Sequence, residues 1–390
     1  MSLSFALRGH AAETTALCFV LRPDEGAEAD TTAAVLPARR PLLLSGDADG
    51  WLFVWDLALR RPLRRWRPHP PAGRTAAAGG VIHIASFTDP ATGGVCIASQ
   101  GRDNAVRIWR LDDILPTRDA AADGDDPKPS AALLSNSLNF CRIAVSAAAG
   151  TVLLALPNLA DSELIDVFDW TTRTYVRREI GARRPAGVKT GLAMCMALFA
   201  ASDLDRHAPK THPRVRLAVG YESGDTMIWA LDGDLLVAMH AHSEPVMALD
   251  AAPDPALGWA VSVAADANVV LFATHAGDGS DGVADRPPAP AFAHTAALPS
   301  AGAGQVRVRA DGKAVAVGGW NGAVSLFKPR KLKLAAAHQA LKESVKALEM
   351  VPPGAVPLGP GARATAAGSA ATPPGPAVAV GAKDGRILFL

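Results

Sequence analysis

A polar turn flanked by two short apolar strands, the second ending on a large apolar residue, recurs seven times in this chain. The clearest copies are LLLSGDADGWLFVWDL (42–57) and VCIASQGRDNAVRIWRL (95–111). Weaker copies are TVLLALPNLADSELIDVFDW (151–170), VRLAVGYESGDTMIWAL (215–231), WAVSVAADANVVLFA (259–273), KAVAVGGWNGAVSLFKP (313–329) and PAVAVGAKDGRILFL (376–390). One such unit cannot bury its own apolar face, so a tandem series must stack to make a core. The copies close on Trp55, Trp109, Phe168, Trp229, Phe272, Phe327 and Leu390, at separations of 43 to 63 residues.

The turn and its closing aromatic are the b–turn–c part of a WD repeat, whose bare length is about 40–45 residues. Most units here therefore carry extra loop. A preceding strand a is legible for each: TTALCFV (14–20), VIHIASF (81–87), LNFCRIAV (138–145), LAMCMALF (192–199), PVMALDA (245–251), QVRVRA (305–310) and SVKALEM (344–350). The chain ends on strand c of the last copy, and SFALR (4–8) precedes the first. The expected fold is all-β: a seven-bladed WD40 β-propeller, with the N-terminal strand supplying the outer strand of the last blade and covering its edge. In WD repeats a His, a Ser or Thr, an Asp and the closing Trp form a buried hydrogen-bonded set. The matching residues are His10, Ser45, Asp49 and Trp55, then His69, Ser99, Asp103 and Trp109. A buried carboxylate without partners costs several kcal/mol or so, and the set recurs, so it reads as scaffold and not as a hydrolase triad.

Length alone suggests two or three domains, but the repeat spans 1–390 and predicts one ring interrupted by low-complexity insertions at 22–41, 112–132, 275–290 and 352–376, with a further loop at 202–213. The segments 112–132 and 275–290 read as following blades 2 and 5. The insertions 22–41 and 352–376 read as a–b loops that emerge side by side, on the face opposite the b–c turns. Lys plus Arg number 39 and Asp plus Glu 38, so no global field draws the chain to nucleic acid or membrane. The start reads as a strand and not as a signal peptide, and the longest apolar stretch (191–201) is too short to span a bilayer. Cys18, Cys96, Cys141 and Cys195 lie far apart within strands, as core thiols of a reducing compartment. DADGW (47–51) lacks the remaining ligands of a calcium loop. HAH (240–242) and HAPKTH (207–212) lack supporting metal ligands, His242 reading instead as the blade-start His of blade 5. The basic KPRKLK (328–333) reads as an edge strand guarded by Lys. No nucleotide, hydrolase or zinc-protease motif is present, and neither cofactor, metal nor catalytic residue is expected.

The b–c turn tips carry Arg102, Glu222, Trp320 and Lys383, with Tyr221 beside Glu222. Exposed aromatics and Arg are enriched among binding hot spots; Trp320 reads equally as packing on a neighbouring blade. The blade 3 turn, PNLADSE (157–163), is longer and gives up the Asp–Gly tip. Asn158, Asp161, Ser162 and Glu163 there read either as a docking patch shared with blades 2 and 4 or as residues that cap the turn.

With the blades laid out, the chain resembles the ASTRA-associated protein 1 family of fungal WD-repeat proteins and its animal relative, guanine nucleotide-binding protein β-like protein 1. The matching stretches are LRGH (7–10), SGDADGWLFVWDL (45–57), RRP (60–62), SQGRDNAVRIW (99–109), NSLNFCR (136–142), LPNLADSELIDVFD (156–169), GYESGDTMIW (220–229), HSEPVMALD (242–250) and GWNGAVSLF (319–327). NFCR together with PN-x2-DSE is the specific part, since it departs from the WD pattern. The resemblance implies a non-catalytic scaffold subunit of the ASTRA assembly, linked to chromatin remodelling and to the Tel2–Tti1–Tti2 cochaperone for phosphatidylinositol-3-kinase-related kinases. It implies a nuclear and cytoplasmic location, and protein partners without direct nucleic-acid or membrane contact. The competing readings are a G-protein β subunit, which needs a leading helix for which strand chemistry from Ser4 leaves no room, and a ubiquitin-ligase substrate receptor or histone reader of another nuclear complex.

Overall fold

The computed structural model describes residues 4–22, 40–71, 79–115, 126–139, 141–148, 150–185, 187–201, 215–277, 288–352 and 378–390. A leading strand, β1 (Phe5–Leu7), comes first. Blade 1 is β2 (Thr14–Arg22), β3 (Arg40–Asp47), β4 (Leu52–Asp56) and β5 (Arg61–Trp66). Blade 2 is β6 (Val81–Thr88), β7 (Val95–Gly101), β8 (Ala105–Arg110) and, after the single-turn helix α1 (Leu111–Ile114), β9 (Ala131–Leu134). Blade 3 is β10 (Ala144–Ala148), β11 (Thr151–Pro157), β12 (Ile165–Asp169) and β13 (Thr174–Ile180). Blade 4 is β14 (Ala193–Ala200), β15 (Val215–Tyr221), β16 (Asp225–Ala230) and β17 (Leu235–His240). Blade 5 is β18 (Val246–Ala251), β19 (Trp259–Ala264), β20 (Asn268–Ala273) and β21 (Ala293–Ala297). Blade 6 is β22 (Ala303–Val308), β23 (Val315–Gly319), β24 (Ala323–Lys328) and β25 (Lys333–Gln339). Blade 7 is β26 (Ala347–Met350), β27 (Val378–Gly381) and β28 (Ile387–Phe389), with β1 as its fourth strand. Seven four-stranded antiparallel sheets thus form a seven-bladed propeller.

Closure rests on three residues of β1. Phe5 pairs with Phe389 and Leu7 with Ile387. The rings of Phe5 and Phe389 stack at 4.2 Å, and Leu7 is buried. This pairing covers the edge of β28, which would otherwise present free backbone groups.

The buried apolar side chains fall into seven clusters, each lying between one pair of neighbouring blades. Inner strands are therefore covered on both faces. That is why β3 and β4 read as unbroken apolar runs, Leu42–Leu44 and Leu52–Trp55, and not as alternating ones. Outer strands contrast with them: β21 is mostly exposed, and β9 alternates exposed with half-buried residues.

That weak patterning hid two outer strands in the sequence. The segments 112–132 and 275–290 do not follow blades 2 and 5; they are c–d connections inside them, with β9 and β21 coming after. All the long insertions, at 22–41, 112–132, 202–213, 275–290 and 352–376, consequently leave the ring through a–b or c–d connections, on the face opposite the b–c turns. Most of their residues lie outside the described ones.

Strand a of blade 3 also begins later than the pattern suggests, at Ala144. Side-chain bonds replace the ladder before it: Gln100 donates Nε2–H to the Cys141 carbonyl (2.9 Å) and accepts from the Ile143 N–H at Oε1 (2.9 Å). In five other blades strand a bulges at the same level, leaving Thr15, Ile82, Met194, Met247 and Gly304 out of register. A bulge re-aims its extra residue, and all five line the mouth of the central channel.

Candidate functional site

The hydrogen-bonded set of blade 1 is real but uses a different aspartate. His10 Nδ1 meets Asp47 Oδ2 at 2.8 Å and His10 Nε2 meets Ser45 Oγ at 2.6 Å, while Trp55 Nε1 donates to Ser45 Oγ at 2.7 Å. Asp49 is exposed and takes no part. Ser45 and Asp47 stand two residues apart on β3 and share one face of it, so both reach the one imidazole. The free oxygen of Asp47 accepts from the N–H groups of Asp49 (3.0 Å) and Trp51 (2.9 Å), which fixes the turn.

Blade 2 keeps His69, Ser99 and Asp103, at 2.8 Å (Nδ1 to Asp103) and 2.7 Å (Nε2 to Ser99). Trp109 does not join them. Its Nε1 points to the Pro127 carbonyl at 3.4 Å and its ring packs edge-on against Trp66. Arg107 instead bonds Asp103 at 2.6 Å. Burial pulls the Asp103 carboxyl up, but bonds to His69 and Arg107 outweigh it and hold the carboxyl below its ordinary range. Blade 5 carries a third set that sequence reading named only at His242: Nε2 meets Ser262 at 2.9 Å and Nδ1 meets Asp266 at 3.1 Å. The four-residue step from Ser262 to Asp266 matches that from Ser99 to Asp103 and was the available signal. The Ser–His–Asp connectivity is that of a hydrolase. Here Ser45, Ser99 and Ser262 are all fully buried, so their hydroxyls face no substrate path.

The turn face divides the eight candidate docking residues. Arg102, Asp161, Glu222 and Trp320 are exposed. Asn158 and Tyr221 are not. Asn158 Nδ2 bonds Asp166 (2.9 Å) and its Oδ1 accepts from the N–H groups of Ala160 (3.0 Å) and Asp161 (2.9 Å), so it builds the turn from inside. Tyr221, at the end of β15, points into the core between blades 3 and 4, while Glu222 next to it points out. Burial drives the Tyr221 phenol well above its ordinary range. Ser162 accepts from Asn136 Nδ2 at 2.9 Å, Asp161 caps the Glu163 N–H at 2.8 Å, and Glu163 pairs with Arg184 at 2.6 Å. Trp320 lies over Gly302 and Gly304 of its own blade and stays 44% exposed.

Beside the exposed Arg102, Asp161 and Glu222, blades 2–4 also turn large apolar side chains outward. Leu138 is 79% exposed and Leu159 50%, with Leu192 and Leu134 also exposed. Leu138 sits on the connection into blade 3, Leu159 on the blade 3 turn tip and Leu192 on the connection into blade 4. Both connections are stitched to that turn: Asn136 N–H donates to the Pro157 carbonyl (3.2 Å) and Ala193 N–H to the Ser162 carbonyl (2.9 Å). Asn139 adds a side-chain bond to the Ala193 carbonyl. Sequence reading missed these leucines because an apolar residue on a turn carries no motif.

The ring axis holds a channel with one cavity of about 370 Å3 at the turn face and another of about 460 Å3 toward the opposite face. His83, Ile143, Met196, Leu249 and Arg307 line both. Arg142 crosses the upper part, donating to Gln305 of blade 6, to the Lys346 carbonyl (2.9 Å) before blade 7 and to the Thr15 carbonyl of blade 1 (3.4 Å). Arg307 pairs with Glu349 at 3.1 Å. Burial raises the Asp250 carboxyl to about 6 and the Cys18 thiol to about 12. Among the described residues no cluster of three His, Cys, Asp or Glu is placed to hold a metal, and no helix is long and apolar enough to cross a membrane.

No protein-family model matches the chain. The solved structure of the computationally designed Ika8 protein covers 99% of this chain and 98% of its own at 17% identity and a TM-score of 0.48, too loose a likeness to bear on function. ASTRA-associated protein 1 of Verticillium alfalfae is 28% identical over 361 residues, covering 84% of this chain and 73% of its own. That of Schizosaccharomyces japonicus is 27% identical over 372 residues, covering 84% and 87%. That of Clavispora lusitaniae is 32% identical over 272 residues, covering 64% and 61%. Across several fungi, then, the chain is similar over most of its length to proteins named ASTRA-associated protein 1.

Proposed function

We propose that this propeller is a subunit associated with the ASTRA assembly, and that it works by holding other proteins together and not by catalysis. In this reading it serves the Tel2–Tti1–Tti2 cochaperone route for phosphatidylinositol-3-kinase-related kinases, in the nucleus and the cytoplasm. The names of its relatives support the first step. The observation that carries the mode of action is the exposed Leu138, Leu159 and Leu192 around the blade 3 turn. Leu138 and Leu159 lie within the stretches NSLNFCR and PNLADSE, which depart most from a plain WD repeat, and Leu192 precedes Ala193, whose N–H bonds the Ser162 carbonyl of the second stretch. Exposed apolar side chains presented from hydrogen-bonded neighbouring loops are a candidate interaction surface, and polar residues around them, Asn136, Asn158 and Ser162, are engaged in holding those loops in shape.

The test is the double variant Leu138→Ser/Leu159→Ser in the full, tagged chain. Neither side chain contributes to the buried clusters, so melting temperature should stay unchanged. Tel2, Tti1 and Tti2 should co-purify with the parent and be lost from the variant. Undiminished co-purification with the variant rejects this face as the docking site. Absence of all three from the parent rejects the cochaperone link itself.

A further inference from the structure

The channel mouth carries an electrostatic imbalance that the propeller scaffold does not require. Its lining includes Arg142 and Lys346 as cations and Glu13 as the carboxylate, Arg307 being neutralised by Glu349. Arg142 is the most constrained of them. Its three bonds go to a Gln side chain and two backbone carbonyls, all neutral acceptors, and among the described residues it has no carboxylate within salt-bridge distance. A guanidinium has five N–H donors, so Nε–H and one Nη1–H are left over while the group is locked in place. Burial and the neighbouring Arg307 pull Arg142 down to about 9, and burial together with Arg142 and Arg307 holds the His83 imidazole well below its ordinary range and so neutral.

Apolar surface stands beside that charge. Trp320, Met194, Met247 and Val345 line the same cavity. Trp320 lies over Gly304, whose sequence neighbour Gln305 holds the Arg142 guanidinium, so indole and cation share one wall. A fixed, part-buried Arg next to an exposed indole is the composition of a binding hot spot.

We propose that this mouth receives an acidic segment of a protein partner. An Asp or Glu carboxylate is seated on Arg142 and Lys346, and an adjacent apolar side chain lies against Trp320. The site is separate from the leucine face on blades 2–4 and does not depend on ASTRA membership.

A random heptapeptide library displayed on phage and selected on the purified full chain tests it. The best peptide is then synthesised with a fluorescent label and its affinity measured by anisotropy. Enriched sequences should carry Asp or Glu next to an apolar residue, and the Asn or Gln isostere should bind at least tenfold more weakly. Lys346 is an exposed side chain, so Lys346→Glu should fold normally and also weaken binding at least tenfold; Arg142→Gln should do the same where it remains folded. Lys383→Glu, on a turn of the same face but outside the cavity lining, should stay within twofold of the parent. Failure to enrich acidic sequences overturns the proposal. So does equal weakening by Lys383→Glu, which would mean diffuse charge attraction, or unchanged binding to Lys346→Glu. A phosphoserine in place of the acidic residue that tightens binding more than tenfold would reassign the mouth to phosphopeptides.

Discussion

The carbonyl oxygen of His69 occupies the space a side chain on Gly50 would need: an ideal Cβ there would sit 1.7 Å from it. Gly50 is in the b–c turn of blade 1, and His69 leads into blade 2, so the turn of one blade is the seat for the next. Gly224 and His242 repeat the arrangement between blades 4 and 5, at 2.1 Å. The same His then turns its ring inward to Ser99 and Asp103, or to Ser262 and Asp266, so a single residue joins blade-to-blade contact with closure within the blade.

Gly50→Ala should therefore destabilise the ring by about 2 kcal/mol or more, through a clash with backbone and a φ of +88° that Ala adopts poorly. Chemical denaturation of parent and variant measures it. A change under about 0.5 kcal/mol, the size of a neutral surface substitution, would show that the two blades separate freely at this point.

Asp47→Ala and Asp49→Ala should behave differently although both sit in one turn. The first leaves His10 and two turn N–H groups without their acceptor and should cost about 1–3 kcal/mol. The second removes an exposed carboxylate and should stay within about 0.5 kcal/mol. Thermal unfolding of the pair decides it; equal losses would mean that the turn shares its load between them.

Deleting residues 1–9 should expose the outer edge of β28 and unstack Phe389 from Phe5. The expected result is a lower melting temperature and concentration-dependent aggregation, since an unpaired edge templates further pairing. A soluble deletion variant with an unchanged melting temperature would sink the closure described for blade 7.

Stability should fall as the medium is acidified below about pH 6.5, the ordinary range of His. Burial lowers the His242 imidazole in the folded protein, so the unfolded chain takes up its proton first and is favoured as pH drops; above that range the penalty is absent. His242→Gln should be less stable at pH 7.5, because Ser262 and Asp266 lose a partner, but should show a shallower decline toward pH 5.5. Denaturation at both pH values checks the slope, and identical slopes would place the pH sensitivity elsewhere.

Much of this protein was legible without coordinates because its information is local and repeated. A turn between two apolar strands, with Trp55, Trp109 or Phe272 closing it, states which segments pair, and seven copies state how many blades there are. His69, Ser99 and Asp103 could be matched by spacing alone, since strand and turn geometry fixes which residues share a face. The errors lie where a side chain is decided by what stands across from it. Asp47 displaces Asp49 because His10 arrives over the face of β3 that Ser45 and Asp47 share. Tyr221 is buried because β14 and blade 3 close over it, and two outer strands were hidden because an exposed edge needs no apolar pattern. Arg142 lies outermost in this respect: its partners Thr15, Gln305 and Lys346 are 127, 163 and 204 residues away and meet it only because the ring is closed. Repetition along the chain thus determined the blades, while the charge of the channel and the apolar face beside it were decided by closure, which brings to one axis residues that no local pattern links.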